Sequence, residues 1–419
     1  MNAPHPVIAN KKPVITPPLA DAKPRALCTD CGLSRTEDAK ACGRACQFLN
    51  PNYPLLETLT HGRPREDGRR DETHFGVYRQ MMRARLAAPK RGAQWTGITT
   101  HLAEDLLRRG KVDAVLTTMP SKKDRWKPVP VIVTDPDALS ECRGMRMGFA
   151  PLLSLLGPAR SAGYKRLAVI GIPCQIHALR ALESELGFER LYVIGTPCSD
   201  NTTTENFWTF LNLLSDTPDD ITYLEFRADY RVELRFKDGT QRFIPFLQLP
   251  ISKLPQSFFP LTCQTCVDYV NALADITVGY MAGSGDQWLI VRNGRGEEMV
   301  EGLGDALVFK PLDSKGNRKS AVEGFKKNVE RSAGGLPIRA MPDWLRPIIS
   351  FLQPRFGPRG LEFARTRVEM KAIEAVLHLR AKAPRRIKTM VPDHIWKLVK
   401  PYGLVASETE NKATNNHKR

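Results

Sequence analysis

The sequence predicts an α/β protein of mixed α+β type. Its parts are a central mixed sheet with flanking helices, an N-terminal cysteine-rich module and a basic, helical C-terminal region. Short β-rich runs alternate with helical patterns between residues 97 and 195, which is typical of layered α/β folds. Four cysteines lie close together near the N-terminus, and residues 331–419 combine helical patterning with many Lys and Arg.

Composition and pattern divide the chain into five segments. Pro, Ala and Lys dominate the first segment, which predicts a flexible leader. A polar, Arg-rich stretch follows the first cysteines and predicts an arm that wraps the fold. The predicted segments are 1–26 for the leader, 27–90 for the cysteine-rich module and arm, 91–165 for a first α/β part, 166–330 for a second α/β part with a glycine-rich stretch, and 331–419 for the basic helical region with a flexible tail.

Four β-rich runs separated by helical patterns predict the strands of the α/β layer. These runs are 114–117, 128–134, 167–170 and 191–194. Two segments of alternating hydrophobicity between about 221 and 246 predict a hairpin with Asp238-Gly239 at its turn.

Charge and cysteine content restrict the class of function. The chain has 419 residues, a formal charge of +17 and nine cysteines. It has no long apolar run and no signal-peptide pattern, so we expect a cytoplasmic protein without a membrane span. Cysteines in that setting favour metal or redox chemistry over a disulfide framework. The positive charge favours an acidic partner or substrate.

The first four cysteines form the pattern Cys28-x2-Cys31-x10-Cys42-x3-Cys46. Four thiolates at this density can surround one metal centre. A tetrahedral zinc ion and a cubane iron–sulfur cluster both suit the spacing. The residues alone do not choose between the two.

The other cysteines suggest a second centre. Cys174 and Cys198 each follow a predicted strand and a proline, and the ends of parallel strands share one edge of a sheet. Cys263 and Cys266 supply a close pair, which would complete a cage of four thiolates. Cys142 has no such partners and is predicted to be the ninth, separate thiol.

A glycine-rich stretch follows the last cysteine pair. Gly279, Gly283 and Gly285 stand between two strand-like runs, so the backbone could approach a ligand there. The stretch lacks the G-x-G-x-x-G order of a dinucleotide-binding turn.

Four motifs together resemble a known family. The motifs VIGIPCQIHALR, GTPCSDNTTTE, CQTCVDYVNALADITVGYMAG and QWLIVRNGRGEE are similar to those of the beta subunits of deazaflavin-coenzyme hydrogenases and dehydrogenases. The likeness is to the chlorophyll-pathway branch, which contains ferredoxin-dependent divinyl (proto)chlorophyllide 8-vinyl reductases and 7-hydroxymethyl chlorophyll a reductase. The resemblance implies a flavoprotein with FAD and two 4Fe-4S clusters.

The resemblance also implies site residues. The core-cluster positions of the family match Cys174, Cys198, Cys263 and Cys266, and the N-terminal module would bind the other cluster through Cys28, Cys31, Cys42 and Cys46. Thr99 and Thr100 match the start of the flavin-side helix, and Asn201, Arg292 and Asn293 are expected to contact flavin or substrate. Relatives often have a third cysteine where this chain has Ser34, and Cys42 is the natural substitute. This departure favours the divinyl reductases over the hydroxymethyl reductase.

The implied reaction is reduction of the 8-vinyl group of divinyl chlorophyllide a or protochlorophyllide a to ethyl. Electrons would come from reduced ferredoxin, an acidic protein that would dock on the positive surface. His177 and His101 are candidate proton donors by position only, and each is more readily explained as structural. Alternatives are a 7-hydroxymethyl chlorophyll a or deazaflavin reductase, or a basic zinc-binding nucleic-acid-binding protein. Peripheral contact with a photosynthetic membrane is possible, because the expected substrate is a tetrapyrrole and the chain has an apolar stretch at 341–357 and a basic stretch at 380–388. For residues 341–357, packing against the core is the favoured expectation.

Overall fold

The computed structural model describes residues 13–19, 27–227, 229–280, 285–332 and 335–411. Most of the predicted leader, Gly283 and the tail from residue 412 lie outside these ranges. The described strands are β1 (Val14–Ile15), β2 (Gln80–Leu86), β3 (Ala114–Pro120), β4 (Pro128–Val133), β5 (Arg166–Gly171), β6 (Arg190–Gly195), β7 (Ile221–Phe226), β8 (Arg231–Phe236), β9 (Gln241–Pro245), β10 (Ile276–Tyr280), β11 (Gln287–Val291), β12 (Leu307–Lys310), β13 (Ser314–Lys315) and β14 (Arg359–Gly360).

Helices flank these strands and dominate the C-terminal region. The described α-helices are α1 (Cys42–Ala45), α2 (Tyr53–His61), α3 (Glu72–Phe75), α4 (Ile98–Arg108), α5 (Leu156–Ser161), α6 (Pro173–Leu182), α7 (Thr204–Leu214), α8 (Leu261–Gln264), α9 (Gly294–Leu303), α10 (Arg318–Arg331), α11 (Leu345–Phe356), α12 (Leu361–Lys382), α13 (Ile387–Met390) and α14 (Asp393–Val399).

The central sheet is mixed, as predicted. Its order is β1-β4-β3-β5-β6-β10-β11-β2-β12. The middle strands β3, β5, β6 and β10 run parallel, and the strands on either side pair antiparallel. Neighbouring residues of β5 face opposite layers: Leu167 packs with α6 and α12, whereas Ala168 packs with α4 and α9. Helices therefore cover both faces of the sheet, as buried parallel strands require.

All four predicted strands are present, as β3 to β6. The predicted hairpin is the β8–β9 pair of a separate sheet ordered β7-β8-β9. Its turn lies at Asp238-Gly239, where Gly239 has a φ of 85°, a value that glycine adopts without strain. A cluster of buried apolar residues, separate from the two that cover the faces of the central sheet, packs this sheet against α7.

Two N-terminal segments differ from expectation. Within the predicted leader, β1 pairs antiparallel with β4 at the sheet edge. The predicted arm is not a simple loop, because it contains α2, α3 and the sheet strand β2. Ion pairs order it. Arg63 lies 2.5 Å from the fully buried carboxylate of Glu72, and Arg65 lies 2.5 Å from the fully buried carboxylate of Glu57.

Helix α11 differs from the expected packing against the core. Trp344, just before it, is 70% exposed, and Phe351 and Phe356 are 64% and 69% exposed. The helix therefore presents apolar side chains to solvent. Among the described helices, none has both the length and the apolar character needed to cross a bilayer.

Candidate functional site

Two cysteines follow the carboxyl ends of neighbouring parallel strands. β5 and β6 pair in register with Gly171 opposite Gly195. Cys174 is the second residue of α6, directly after β5, and Cys198 lies three residues beyond β6. The predicted shared edge is therefore correct for this pair.

Asn271 links the two strand ends. Its Nδ2 donates to the carbonyl of Gly171 at 2.8 Å and to that of Thr196 at 3.3 Å. It adopts a φ of 56°, which asparagine tolerates better than most residues. A Cβ at Gly195 would lie 2.7 Å from this amide, so glycine is needed for the close approach. The backbone N–H of Cys198 then donates to the carbonyl of Tyr269 at 3.0 Å.

Cys174, Cys198, Cys263 and Cys266, here called the core thiol set, lie within electrostatic reach of one another. Burial raises the pKa of Cys198, and the thiols of Cys263, Cys174 and Cys266 raise it further. Burial likewise raises the pKa of Cys263 to about 12 and of Cys266 to about 11. Thiolates in this position need a nearby positive charge, which a bound metal supplies.

Cys28, Cys31, Cys42 and Cys46 form a second group, the N-terminal thiol set. Burial raises the pKa of Cys31 to about 12, and the thiols of Cys42, Cys46 and Cys28 add to the rise. Backbone N–H groups also point at the sulfurs: that of Asp30 donates to Cys28 Sγ at 3.3 Å. Hydrogen bonds of this type are a feature of iron–sulfur sites.

The two sets adjoin. Thr29 Oγ1 donates to Cys174 Sγ at 3.6 Å, and Gln47 Nε2 donates to Cys266 Sγ at 3.1 Å. Thr29 and Gln47 belong to the N-terminal segment, and Cys174 and Cys266 to the core thiol set. Residues next in sequence to Cys28 and Cys46 thus contact sulfurs of the core thiol set directly.

The donors of both sets are thiolates, which bind zinc ions and iron–sulfur clusters. Within the described part of the chain, no three His, Cys, Asp or Glu side chains are placed to hold one metal ion. A cubane cluster binds each thiolate to a different iron, so it needs a wider set. Four thiols that affect one another's pKa, with N–H donors beside them, fit that requirement.

Charged side chains of α12 flank the core thiol set. Lys371 is buried, and its Nζ lies 2.6 Å from Asp200 Oδ1 and 3.0 Å from Glu374 Oε2. Burial lowers the pKa of Lys371, but the two carboxylates hold it above its usual value. Asp200 comes two residues after Cys198, so α12 places fixed charge beside this loop.

The predicted ligand contact Asn201 lies beside the core thiol set, but its side chain binds backbone. Its Oδ1 accepts from the N–H of Gly148 at 3.1 Å and its Nδ2 donates to the same residue's carbonyl at 3.0 Å. Its own backbone N–H points at Cys263 and opposes the rise in the pKa of that thiol. Contact of Asn201 with flavin or substrate stays a prediction.

Arg292 and Asn293 also use their side chains within the protein. Arg292 is 1% exposed and donates to the carbonyls of Phe75, Val77 and Val270 at 2.6–3.1 Å. Asn293 begins α9 and donates to Asp275 Oδ1 at 2.7 Å. The structure therefore assigns both residues to packing, and their predicted contact with a ligand stays a prediction.

Thr99 and Thr100 lie in the first turn of α4, away from Arg292 and Asn293. Thr100 is buried and Thr99 is half-buried. Just before this helix, Trp95 and Thr96 line a cavity of about 280 Å³ that Glu225, Arg235 and Gly285 also line. The cavity thus lies beside the residues that precede α4, and Gly285 of the glycine-rich stretch is in its lining.

Trp95 begins a chain of aromatic rings, called here the aromatic row. Its ring centroid lies 5.1 Å from that of Tyr280, Tyr280 lies 5.4 Å from Phe363, and Phe363 lies 5.6 Å from Tyr230. Trp95, Tyr230 and Tyr280 are half-exposed. Neighbouring rings are inclined to one another by 40°, 45° and 75°, so together they form an aromatic wall against which a planar ligand could pack.

The two histidines considered as proton donors have structural partners. His177 is buried, its Nδ1 lies 3.1 Å from the carbonyl of Ala45, and burial lowers its pKa to about 4. Its ring packs on Tyr53 at 5.5 Å, so it joins α6 to α1 and α2. His101 Nδ1 lies 3.2 Å from Glu104 Oε2 on its own helix.

Sequence reasoning missed three contributors to the site: Asn271, the α12 cations and the N-terminal donors Thr29 and Gln47. Asn271 had a detectable signal, because an asparagine between a cysteine pair and a strand is suited to a left-handed turn. The charged positions of α12 gave no such signal. Arg367, Lys371 and Glu374 have the spacing expected of a helix face exposed to solvent.

Comparison with known proteins gives the family. The C-terminal domain of the coenzyme F420 hydrogenase/dehydrogenase beta subunit matches residues 164–315, and the N-terminal domain of the same subunit matches residues 81–157. The chain is 36% identical over 381 residues to the uncharacterized protein all1601 of Nostoc sp., covering 91% of this chain and 94% of that one.

A named relative and a solved structure agree with this result. The chain is 37% identical over 389 residues to 7-hydroxymethyl chlorophyll a reductase of Oryza sativa, covering 90% of this chain and 82% of the relative. The F420-reducing [NiFe] hydrogenase complex from Methanosarcina barkeri contains a chain with the same fold, at a TM-score of 0.51 and 22% identity, over 57% of this chain and 84% of that one. The protein described here belongs to the coenzyme F420 hydrogenase/dehydrogenase beta-subunit family of oxidoreductases.

Proposed function

We propose that this oxidoreductase reduces the 8-vinyl group of divinyl chlorophyllide a or protochlorophyllide a to ethyl. The observation that carries the proposal is the pair of adjoining thiol sets next to an aromatic row, in a chain similar to a chlorophyll reductase. Converting vinyl to ethyl consumes two electrons and two protons. A donor such as ferredoxin delivers its electrons singly, so the protein must accept them one at a time.

The thiol sets are the proposed ligands of two 4Fe-4S clusters, and the aromatic row with the start of α4 is the proposed surface for FAD. When bound, the clusters supply single-electron transfer and the flavin supplies paired transfer to the conjugated substrate. The chain largely encloses the core sulfurs and donates backbone N–H groups to Cys263 and Cys266. Gln47 and Thr29 hold the two sets against each other.

The N-terminal thiol set is the proposed entry point for electrons from ferredoxin. Its cysteines are half-buried, as are Cys174, Cys198 and Cys266 of the core thiol set, so the choice of entry point rests on the charge around it. Lys40 and Arg44, in the same segment, are exposed. Together with the formal charge of +17, they suit an acidic partner whose association weakens as salt rises.

A second candidate reaction is reduction of 7-hydroxymethyl chlorophyll a. The 37% identity to the Oryza sativa reductase over 90% of this chain favours it. That reaction also consumes two electrons and two protons, and it releases water as the hydroxymethyl group becomes methyl. Ser34, at a position where we expect a cysteine in that reductase, is the feature that favours the divinyl substrate.

Anaerobic turnover separates the candidates. Purified protein is expected to contain flavin and about eight iron atoms per chain, the content of two cubane clusters. With reduced ferredoxin and divinyl chlorophyllide a, the product should gain two hydrogen atoms by mass and lose the vinyl signal, at a rate that falls with added salt. Turnover of 7-hydroxymethyl chlorophyll a alone would select the second reaction. Protein that contains zinc and no iron would contradict both and support the nucleic-acid-binding alternative.

We also propose that the exposed face of α11 contacts an anionic membrane surface. Trp344, Ile348, Phe351 and Phe356 are exposed along it. The Arg355 guanidinium lies 4.2 Å from the Phe351 ring, so positive charge borders the apolar side chains. This combination is typical of helices that lie in the headgroup region of a bilayer.

The Phe351→Glu variant is expected to lose most of its binding to phosphatidylglycerol vesicles, because it places a negative charge on the apolar face. Cosedimentation with those vesicles and with phosphatidylcholine vesicles measures the effect. The matched control is Leu59→Glu on α2, which changes a residue that is 70% exposed and should bind as the wild type does. Equal binding by Phe351→Glu would contradict the proposal, as would self-association of the wild type that this variant abolishes.

A further inference from the structure

Two residues of the aromatic row have unusual backbones. Trp95 has a φ of 49° and Tyr230 a φ of 63°, in a region that bulky L-residues rarely occupy. Among the described non-glycine residues with positive φ, the others are Asp30, Arg70 and Asn271. Strained backbone of this kind persists where the surrounding structure holds a side chain in place, often at a binding site.

The same region contains buried polar atoms without partners. Within the described residues, Trp95 Nε1 and Arg367 Nε are among seventeen buried side-chain nitrogen and oxygen atoms that have no hydrogen-bond partner. A buried polar group without a partner is costly unless a ligand or water supplies one. Trp95 Nε1, in the aromatic row, and Arg367 Nε, beside the Tyr269 ring, are two positions at which a bound molecule would supply that partner.

Arg367 is the charged member of this group. Its Nη2 donates to Ser199 Oγ at 2.5 Å, and its guanidinium lies 5.8 Å from the centre of the Tyr269 ring. The nearest carboxylates, Asp200 and Glu374, already pair with Lys371. Among the described residues, no carboxylate lies within ion-pair distance of Arg367, although Asp200 and Glu374 stabilise its charge from farther away.

Arg367 also connects the aromatic row to the core thiol set. Ser199 directly follows Cys198, and the carbonyl of Tyr269 accepts from the N–H of Cys198 at 3.0 Å. A ring system lying against the row would therefore end next to the loop that carries Cys198. That is where a ring that exchanges electrons with the core thiol set has to lie.

We propose that the aromatic row binds a planar conjugated ring and that the Arg367 guanidinium receives the acceptor-rich edge of this ring. The proposal rests on the proposed function, because it assigns the ring to the electron path from the core thiol set. Two molecules share this chemistry: the isoalloxazine of a flavin, through its carbonyl and nitrogen edge, and a tetrapyrrole, through a carboxylate. The guanidinium forms planar, paired hydrogen bonds with either.

Binding measurements without turnover test the proposal. Arg367→Gln keeps a donor for Ser199 but removes the charge, and Arg367→Lys keeps the charge but removes the planar pair of donors. One arm titrates FAD into flavin-depleted protein and follows flavin fluorescence. The other arm titrates divinyl chlorophyllide a and follows its absorption. We expect about tenfold or greater weakening for Arg367→Gln in one arm, with Arg367→Lys intermediate.

The arm that responds identifies the ring. Weakening with FAD assigns Arg367 to the flavin, and weakening with the pigment assigns it to the substrate. Arg331→Gln, at the exposed end of α10, is the matched control and should bind both as the wild type does. Iron content and thermal unfolding report whether each variant is folded. Unchanged dissociation constants in both arms for folded Arg367→Gln would overturn the inference, even if the protein reduces divinyl pigment.

Discussion

The Cys198→Ser variant is expected to lose about half of the bound iron and all ferredoxin-driven reduction of pigment. Cys198 is one of four buried thiols that affect one another's pKa, so the proposed core cluster would lose one ligand of four. A serine hydroxyl stays protonated far more readily than a thiol and is a poor replacement. The N-terminal thiol set does not include this residue, so its share of about four iron atoms should remain.

Iron and flavin content per chain, with the visible absorption spectrum, measure the result. Cys142→Ser is the matched control. Burial raises the pKa of Cys142 to about 11, but no other cysteine contributes to that rise, so we expect its replacement to leave the iron content unchanged. A Cys198→Ser protein with a full complement of iron would show that the core thiol set binds no cluster. Loss of all the iron would show that the two sets do not load independently.

The strand-end cysteines could be predicted because the relevant pattern is local. Each follows a β-rich run and a proline, and two such strands separated by a helix are expected to lie parallel and adjacent. The structure confirms the strands and their pairing. The sequence does not show what holds their ends together, because Asn271 reaches Gly171 across 100 residues of chain.

The RNGRGE segment shows how a binding pattern and a packing pattern can coincide. Arginine, asparagine and glycine after a strand resemble a ligand-binding loop. In the structure Arg292 and Asn293 satisfy buried carbonyls and the buried carboxylate of Asp275. Buried carbonyls explain Arg292 and the buried acid explains Asn293, and these contacts join parts of the chain that no local spacing relates.

For helices α11 and α12, helical spacing predicts the wrong environment for the side chains. Apolar residues at helical spacing usually lie in a core, yet those of α11 are exposed. Charged residues at helical spacing usually lie in solvent, yet Lys371 and Glu374 on α12 are buried beside the core thiol set. Periodicity identifies one face of a helix, but only the tertiary structure decides what that face meets.

Substitution of Asp275 is expected to cause the largest loss of stability, about 3–5 kcal/mol for Asp275→Asn. Its side chain is fully buried, and its Oδ1 accepts from Arg180 at 2.8 Å and Arg295 at 2.9 Å. Its Oδ2 accepts from the N–H of Val193 on β6 at 2.7 Å. An asparagine would remove the negative charge that balances the buried guanidinium of Arg180. Its amide NH2 would also face the groups that now donate to the carboxylate. The urea midpoint, followed by circular dichroism, measures the loss.

The control for this prediction is an exposed ion pair. Glu185 is 55% exposed and pairs with Arg44, so Glu185→Gln should leave the urea midpoint nearly unchanged. A loss of similar size in both variants would contradict a special role for Asp275.

The dependence on pH supplies a second, independent test. Burial disfavours the charged form of Asp275, but Arg180 and Arg295 outweigh it and hold its pKa below the usual value. A carboxyl with a lowered pKa stabilises the fold above the unfolded-state value of about 3.9 and loses that contribution as pH falls through the folded-state value. The difference between wild type and Asp275→Asn should therefore be constant near neutral pH and shrink below about pH 4. Arg180 lies on α6 and Val193 on β6, so loss of the Asp275 carboxylate should also loosen the strand ends that carry Cys174 and Cys198. In the variant, iron release in urea should therefore precede unfolding of the sheet.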